Sequence, residues 1–136
     1  MVELVSRKLT EDPEFMEYGT PCASMRERVA RFVFSQVANG LEYLHDVAFV
    51  ANRDIKPDNI MMGLGAASNI VHLIDFGLTR SIIDPKTNRH IPFVQGKNLI
   101  GTCRYVSINA HLGYELSRRD DLLTLGNVMI FLLKGA

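Results

Sequence analysis

The stretch NRDIKPDN, residues 52–59, decides how the rest of the chain is interpreted. It brings an arginine, a lysine, two aspartates and two asparagines into eight positions, and its proline interrupts any strand ladder, so it is predicted to be a loop. The short apolar runs on either side, VAFVA at 47–51 and IMM at 60–62, are predicted to be strands. A polar loop between two strands is either a surface turn or a site that handles phosphate and metal.

A second polar loop follows the next strand. GLGAASN, residues 63–69, has the composition of a hairpin turn, and IVHLI, residues 70–74, is predicted to be a third strand. That strand ends at the triplet Asp75-Phe76-Gly77, where Gly77 would allow the backbone turn that aims the Asp75 carboxylate. The two polar loops are therefore expected at neighbouring strand ends.

Phosphoryl transfer needs the residue types that these two loops carry. Charge spreads over the transferred group, so the protein supplies positioning, positive charge held by a metal, and an acceptor for the proton of the nucleophile. Magnesium prefers hard oxygen ligands from one or two carboxylates together with phosphates. The first loop offers Asp54, Lys56 and Asn59, and the second offers Asp75. The alternative is that Asp54 and Asn59 only cap a turn.

Two helices are predicted on either side of the loops. Ser24 as N-cap and Glu27 three residues later form a capping box, and the apolar residues that follow recur at spacings of three and four. The first helix is therefore predicted over 24–45. Residues 119–134 are apolar nearly all round, which predicts a helix buried at the centre of a domain.

The remaining segments carry weaker patterns. Residues 1–23 are punctuated by prolines and a glycine and are predicted to be a short helix or an irregular lead-in. From residue 78 to about residue 104 no period is sustained, because two prolines and two glycines interrupt the pattern. A segment of this length without its own secondary structure is usually functional or mobile.

Composition limits the expected partners and setting. The chain has 136 residues, of which 47% are hydrophobic and 22% charged, as in an ordinary globular domain. Fifteen basic and fifteen acidic residues balance, so no nucleic-acid partner is expected. The longest apolar run, residues 125–133, is too short for a membrane span. Cys22 and Cys103 lie far apart and the N-terminus has no apolar leader, which favours a reduced intracellular location, cytoplasmic and/or nuclear.

The pattern R-D-x-K-x-x-N followed by D-F-G resembles the catalytic and metal loops of protein kinases. Four later stretches are similar to the casein kinase I family of serine/threonine kinases: GLG at 63–65, DPKTNRHIPF at 84–93, GTCRYVSINAHLG at 101–113 and SRRDDL at 117–122. That family also carries S-I-N where most kinases have A-P-E. The resemblance runs from about residue 24 to residue 133.

The resemblance implies an α+β fold, namely a kinase-like C-terminal lobe that is mainly α-helical and has a small β unit carrying the catalytic and D-F-G loops. The N-terminal lobe is expected to be absent, because neither G-x-G-x-x-G nor V-A-I-K precedes the catalytic loop. The chain would then be a partial kinase domain, 1–136, in which five segments follow one another: lead-in 1–23, long helix 24–45, catalytic and metal loops 47–77, activation and substrate-binding segment 78–113, and core helix 119–134.

The resemblance also implies roles for the loop residues. Asp54 would accept or orient the proton of the substrate hydroxyl, and Lys56 would contact the γ-phosphate of ATP during transfer. Asn59 and Asp75 would hold Mg²⁺. ATP and Mg²⁺ are thus the expected cofactors. The expected partner is a protein substrate, and the family tends to favour acidic or already phosphorylated substrates.

Further residues would position the site. Thr102 is expected to tether the substrate-binding loop to the catalytic loop, and Asp121 to hold the backbone of the catalytic loop. Arg53, Lys97 and Arg104 are similar in position to a basic cluster that binds anions, for which a guanidinium fork suits a phosphate. The alternative for Asp121 is that it is an ordinary solvent-exposed acid in the first turn of a helix. The alternative for Lys97 and Arg104 is that they are ordinary solvent-exposed charges.

Asn52 departs from the kinase pattern, which usually has histidine there. Asparagine still donates and accepts hydrogen bonds, but it is smaller and lacks the packing of the ring. Because misplacement of reacting groups can cost on the order of a hundredfold in rate, an impaired site is expected. The leading hypothesis is a casein kinase I-like serine/threonine kinase that is impaired or inactive as an isolated chain, with poor binding of ATP and Mg²⁺ and negligible turnover. The alternative is a non-catalytic pseudokinase fragment, or a module that binds a phosphorylated partner; a small-molecule phosphotransferase fits the later motifs less well.

Overall fold

A computed structural model describes residues 25–134 of the chain. The predicted lead-in over 1–23 and the proposed N-cap Ser24 therefore lie outside the described residues. The core is built from two long helices that pack against each other, with three short antiparallel strand pairs beside them.

Helix α1 runs from Met25 to Glu42 and continues as a π-helical turn over Tyr43–Val47. Its core-facing stripe has one residue every fourth position, and each is no more than 5% exposed: Val29, Val33, Val37 and Leu41. Spacing of four places these side chains on one face of the helix, which is the face that packs against the second long helix. The helical path thus extends two residues beyond the predicted end, with a change of helix type in its last turn.

Helix α3, defined here as Arg118–Lys134, is the second long helix. Leu125, Val128 and Leu132 face the core and are at most 7% exposed. The apolar pattern continues on its other sides, where three apolar side chains are about half exposed within the described residues: Leu122, Leu123 and Ile130. In its N-terminal turn, two adjacent polar residues, Asp120 and Asp121, are buried.

The hairpin that carries the two polar loops consists of β2, Ile60–Met62, and β3, Val71–Leu73. The turn between them contains a 3₁₀ turn over Gly65–Ala67, as the composition predicts. Gly63 is required at the entry of the turn, because a Cβ there would lie 2.1 Å from the carbonyl oxygen of Ala67. The pairing of β2 with β3 continues past the strand ends, since the Ile74 amide donates to the Asn59 carbonyl over 2.9 Å.

The first strand is shorter than the sequence predicts. The strand predicted over 47–51 is reduced to β1, Val50–Ala51, because Val47 belongs to the π-helical turn and Phe49 has a left-handed φ of 54°. β1 pairs with β4, Arg80–Ser81, in antiparallel register.

The segment from 78 to 104 is not without structure. Besides β4 it contains a small hairpin of β5, Ile83–Asp84, and β6, Arg89–His90. Strands of two residues are too short to show an alternating pattern in the sequence. Farther along, a short helix α2, Ile108–His111, begins at Ser107, whose side-chain oxygen accepts a hydrogen bond from the Ala110 amide.

Candidate functional site

Asp54 lies at the centre of a hydrogen-bonded group formed by the catalytic loop and the segment before α2. Its Oδ2 accepts hydrogen bonds from Lys56 Nζ at 2.8 Å and from Asn59 Nδ2 at 3.2 Å. Its Oδ1 accepts from the Thr102 hydroxyl at 2.8 Å. The structure thus brings together four of the residues that the sequence singled out: Asp54, Lys56, Asn59 and Thr102.

The electrostatics of this group favour an ionised Asp54. Burial by itself would raise the pKa of Asp54, but the hydrogen bonds from Lys56 and Thr102 and the charge of Lys56 outweigh it and hold that pKa below its ordinary value. The hydrogen bond to Asp54 in turn raises the pKa of Lys56, and the charges of Asp58 and Asp75 act in the same direction. The pair therefore keeps its full charges over the physiological range of pH.

The backbone of the catalytic loop is held by Asp121 in the first turn of α3. The two carboxylate oxygens accept from the amides of Asn52 and Arg53, each at 2.8 Å. His45, in the π-helical turn after α1, is also hydrogen-bonded to Oδ2 of Asp121, at 2.7 Å. All three bonds are buried or partly buried, so this carboxylate fixes the loop to both long helices.

Asn59 and Asp75 are held next to each other by the hairpin. Asp75 follows Ile74, whose amide is bonded to the Asn59 carbonyl. Asp75 is exposed, has a left-handed φ of 62°, and accepts from the Gly77 amide through Oδ1 at 3.0 Å. The Asp54 carboxylate and carbonyl fix the side-chain amide of Asn59, because Nδ2 donates to both of them.

The oxygen donors of Asn59 and Asp75 are of the type that magnesium prefers. Nδ2 of Asn59 is committed to Asp54, and Oδ2 of Asp75 and Oδ1 of Asn59 accept no hydrogen bond within residues 25–134, so two hard oxygens remain for a cation. In the same residues, no group of three or more His, Cys, Asp or Glu side chains is arranged to bind a metal. A site of one carboxylate and one amide agrees with the way magnesium is bound when phosphates supply further ligands.

Asn52 is fully buried, at 1% exposure. Its Oδ1 accepts from the Asp54 amide at 3.1 Å, which stabilises the turn that presents the Asp54 carboxylate. Its Nδ2 is buried and has no hydrogen-bond partner within the described part of the chain. Asparagine therefore supports Asp54 locally and leaves one donor unpaired.

The basic cluster differs from the one that the sequence predicted. Arg53 and Lys97 line one small cavity, together with Arg80 and Glu115. The buried Glu115 carboxylate is paired with Arg80 at 2.8 Å and with Lys97 at 3.2 Å. Burial, followed by the charge of Arg80, lowers the pKa of Arg53.

Arg104 does not line this cavity. Its guanidinium lies over the Phe131 ring of α3, 5.7 Å from the ring centroid, where a cation–π contact stabilises it. The prediction that Arg104 belongs to an anion-binding cluster with Arg53 and Lys97 stays a prediction. Arg80, which comes from β4, lines the cavity of Arg53 and Lys97.

Sequence reasoning missed three residues of the site: His45, Arg80 and Glu115. Each acts through a contact with a residue at least 18 positions away in the chain, so no local pattern indicates it. Of the three, only Glu115 could have been noticed in the sequence, because it is an acidic residue in a largely apolar stretch before α3.

Over residues 25–134, no helix is both long enough and apolar enough to cross a bilayer.

A family model for the protein kinase domain matches residues 4–136 of the chain. This range includes the catalytic loop, the D-F-G triplet, the segment with Thr102 and both long helices. Protein kinases transfer phosphoryl groups to protein substrates. The match covers nearly the whole chain, and the chain therefore belongs to the protein kinase family.

Proposed function

We propose that the chain provides the catalytic loops of a serine/threonine protein kinase of the casein kinase I type, which transfers the γ-phosphate of ATP to a protein hydroxyl with Mg²⁺. The observation that carries this proposal is the Asp54 carboxylate, held at 2.8 Å by Lys56 and by Thr102. A depressed pKa keeps this carboxylate ionised and able to accept a hydrogen bond from an incoming hydroxyl.

Each residue of the group has a separate task in this mechanism. Asp54 orients the substrate hydroxyl and accepts its proton as the hydroxyl oxygen bonds to the γ-phosphorus and the bond from that phosphorus to the bridging oxygen breaks, which releases ADP. Lys56 lies against Asp54 and its charge is available to the γ-phosphate. Asn59 and Asp75 would hold magnesium, which would neutralise negative charge on the phosphates. Thr102 keeps the substrate-binding segment in register with Asp54 through its hydroxyl.

The cavity lined by Arg53, Arg80 and Lys97 supports a preference for acidic or already phosphorylated substrates. Arginine side chains bind phosphate bidentately, and the cavity lies next to the catalytic loop through Arg53. Glu115 already forms ion pairs with two of these cations, Arg80 and Lys97. A phosphorylated substrate would have to compete with this carboxylate, so the preference is expected to depend on ionic strength.

The test is a kinase assay with purified protein, radiolabelled ATP, Mg²⁺ and casein. Asp54→Asn is expected to reduce the rate on the order of a hundred- to ten-thousandfold, the usual contribution of a positioned acid–base group. Asp58→Asn is the matched control, because Asp58 lies in the same loop but is exposed. Equal rates for wild type and Asp54→Asn would contradict the proposal.

A non-catalytic role is the second candidate, and the buried unpaired amide of Asn52 favours it. A loop with weakened bracing could retain phosphopeptide binding in the Arg53–Lys97 cavity while turnover is lost. Thermal unfolding with ATP separates the two candidates. A Mg²⁺-dependent rise in melting temperature that is lost in Asp75→Ala supports the kinase. No rise with ATP, together with phosphopeptide binding that is lost in Lys97→Ala, supports the binding module.

A further inference from the structure

Two buried polar atoms near the catalytic loop lack hydrogen-bond partners within residues 25–134. They are Nδ2 of Asn52 and Oγ1 of Thr79. Asn52 comes at the start of the catalytic loop, and Thr79 comes two residues after the D-F-G triplet. A buried donor and a buried acceptor without partners are both costly, so their positions relative to each other are informative.

Strand register places the two residues opposite each other. β1 and β4 pair Val50 with Ser81 and Ala51 with Arg80. One step farther in the same antiparallel register, Asn52 stands across from Thr79. The segments remain adjacent at the following step as well, because Nε of Arg53 donates to the Leu78 carbonyl at 2.6 Å.

The backbone hydrogen bonds indicate whether Asn52 and Thr79 form a pair with or without mutual backbone bonds. On the far side of β1 the Ile82 amide donates to the Phe49 carbonyl. Alternation along an antiparallel ladder then makes Asn52 and Thr79 a pair without mutual backbone bonds. Both amides agree with this, since the Asn52 amide donates to Asp121 and the Thr79 amide to the Phe76 carbonyl.

Pairs without mutual backbone bonds have the closest side chains in an antiparallel ladder, and the two side chains lie on the same face. The amide of Asn52 is already oriented, because its Oδ1 accepts from the Asp54 amide. Nδ2 is therefore the end that remains for a cross-strand partner. The Thr79 hydroxyl can accept a hydrogen bond from it.

We propose that Asn52 and Thr79 form a side-chain hydrogen bond, Nδ2–H to Oγ1, that links the catalytic loop to the segment after the D-F-G triplet. Neither atom has a partner in the structure, so closing the bond requires a change in side-chain torsion angles. Thr79 is then a positioning residue: through Leu78 and Gly77 it fixes the backbone that presents Asp75. The bond is inferred from the strand register and the two unpaired atoms, and only its effect on magnesium and nucleotide rests on the proposed function.

The first test is a double-mutant cycle on the unfolding equilibrium in urea. Thr79→Val removes the hydroxyl at nearly constant volume, and Thr79→Ser retains it. In the Asn52 background, Thr79→Val is expected to raise the unfolding constant about tenfold more than it does in an Asn52→Ala background. Equal effects in the two backgrounds would overturn the proposed bond.

Nuclear magnetic resonance provides a second measurement, which does not require Asn52→Ala to fold. The side-chain NH₂ protons of Asn52 are expected to exchange with solvent at least tenfold faster in Thr79→Val than in wild type, whereas Thr79→Ser leaves the rate within about twofold. An unchanged exchange rate in Thr79→Val would overturn the bond.

The effect on the site is measured by titrating Mg²⁺ in the presence of ATP and following the melting temperature. Thr79→Val is expected to need several-fold more Mg²⁺ than wild type, and Thr79→Ser the same as wild type. A titration that is unchanged in Thr79→Val would overturn the positioning role. A wild-type protein without any response to ATP and Mg²⁺ would instead contradict the proposed function, while the cycle and the exchange rates would still decide the bond.

Discussion

Asp54 has both of its carboxylate oxygens engaged by residues of this chain, and the hydroxyl of Thr102 is the partner that comes from outside the catalytic loop. The bond therefore does two things. It stabilises the ionised form of Asp54, and it fixes the distance between the loop that carries the base and the segment that would receive the substrate.

Replacement of Thr102 by valine tests both effects. A hydrogen bond to a charged group contributes roughly 1.5–3 kcal/mol, so the phosphorylation rate is expected to fall by about ten- to a hundredfold. The pKa of Asp54 should rise, which moves the acid limb of the pH–rate profile to higher pH. Thr102→Ser is the matched control and should keep both properties. If Thr102→Val is slow but the acid limb of its pH–rate profile does not move, then Thr102 acts only by positioning the substrate-binding segment and does not affect the pKa of Asp54.

The ion pair of Asp54 and Lys56 predicts a defined dependence of stability on pH. The pKa of Asp54 is lowered on folding, so its contribution is complete above its ordinary pKa of about 3.9 and is lost as the pH falls through the lower folded value. The pKa of Lys56 is raised, so its contribution is complete below about 10.4 and is lost as the pH rises through the higher folded value.

Urea unfolding of wild type and Lys56→Met measures this dependence. The difference in the free energy of unfolding is expected to stay constant between about pH 5 and pH 9 and to shrink outside that window. Lys86→Met is the control, because Lys86 is exposed in the turn between β5 and β6. A difference that changes near neutral pH would contradict the assignment of the pair.

At this scale the sequence predicts residues whose partners are close in the chain. Asp54, Lys56 and Asn59 lie within six positions, and their types alone suggested a common site. Glu115 could not be predicted, because its partners Arg80 and Lys97 are 35 and 18 positions away. The contact of Arg104 with the Phe131 ring could not be predicted either, because nothing in its local sequence distinguishes a guanidinium in a cavity from one that covers an aromatic ring.

Among the elements, the segment before α2 is held against the catalytic loop by a close backbone approach at Gly101. This glycine has a left-handed φ of 93°, and a Cβ there would lie 2.5 Å from the Arg53 carbonyl oxygen. Any side chain at this position would therefore have to push the segment away from the loop and lengthen the bond between Thr102 and Asp54.

The variant Gly101→Ala is accordingly expected to lose most activity and to lower the melting temperature. Gly126→Ala is the matched control, because nothing lies within 4 Å of a Cβ at that position in α3. Alanine has the higher helix propensity, so this control should gain up to about 1 kcal/mol in stability. Normal activity of Gly101→Ala would mean that the segment is held in place without this contact.

Helix α3 allows a second comparison within one element. Leu125 is 1% exposed in the core, whereas Leu123, two residues earlier, is 50% exposed. Leu125→Ala is expected to cost about 2–5 kcal/mol of stability, as large-to-small core substitutions do. Leu123→Ala should cost less than about 1 kcal/mol, since little buried area is lost. Equal losses in urea unfolding would show that the outer side of α3 is covered in solution.

Long elements with a clear period were the ones that the sequence predicted well. The stripe of Val29 to Leu41 indicated α1, although the change to a π-helical turn at Tyr43 has no counterpart in the pattern. The strands β4, β5 and β6 are only two residues long and are defined by their partners rather than by their own composition. Helix α2 could have been found from Ser107, a good N-cap residue.

For the whole molecule, the long helices determine where the loops lie. The fold class was predicted from sequence motifs. The closeness of Asn59 and Asp75 follows from the hairpin of β2 and β3, which sets Asn59 beside the strand end that precedes Asp75. Which residues of α3 are exposed could not be predicted, because a run of apolar residues does not reveal which of them face a partner.

The carboxylate of Asp121 has a consequence for the timescale on which the catalytic loop can open. Its bonds to the Asn52 and Arg53 amides are anchored in the same helix as the core residues Leu125 and Val128. These two loop amides should therefore exchange with deuterium as slowly as core amides, that is, only when the whole domain unfolds. In Asp121→Asn they should exchange by local opening, well ahead of the core. Fast exchange in the wild type would mean that the loop moves independently of the helices.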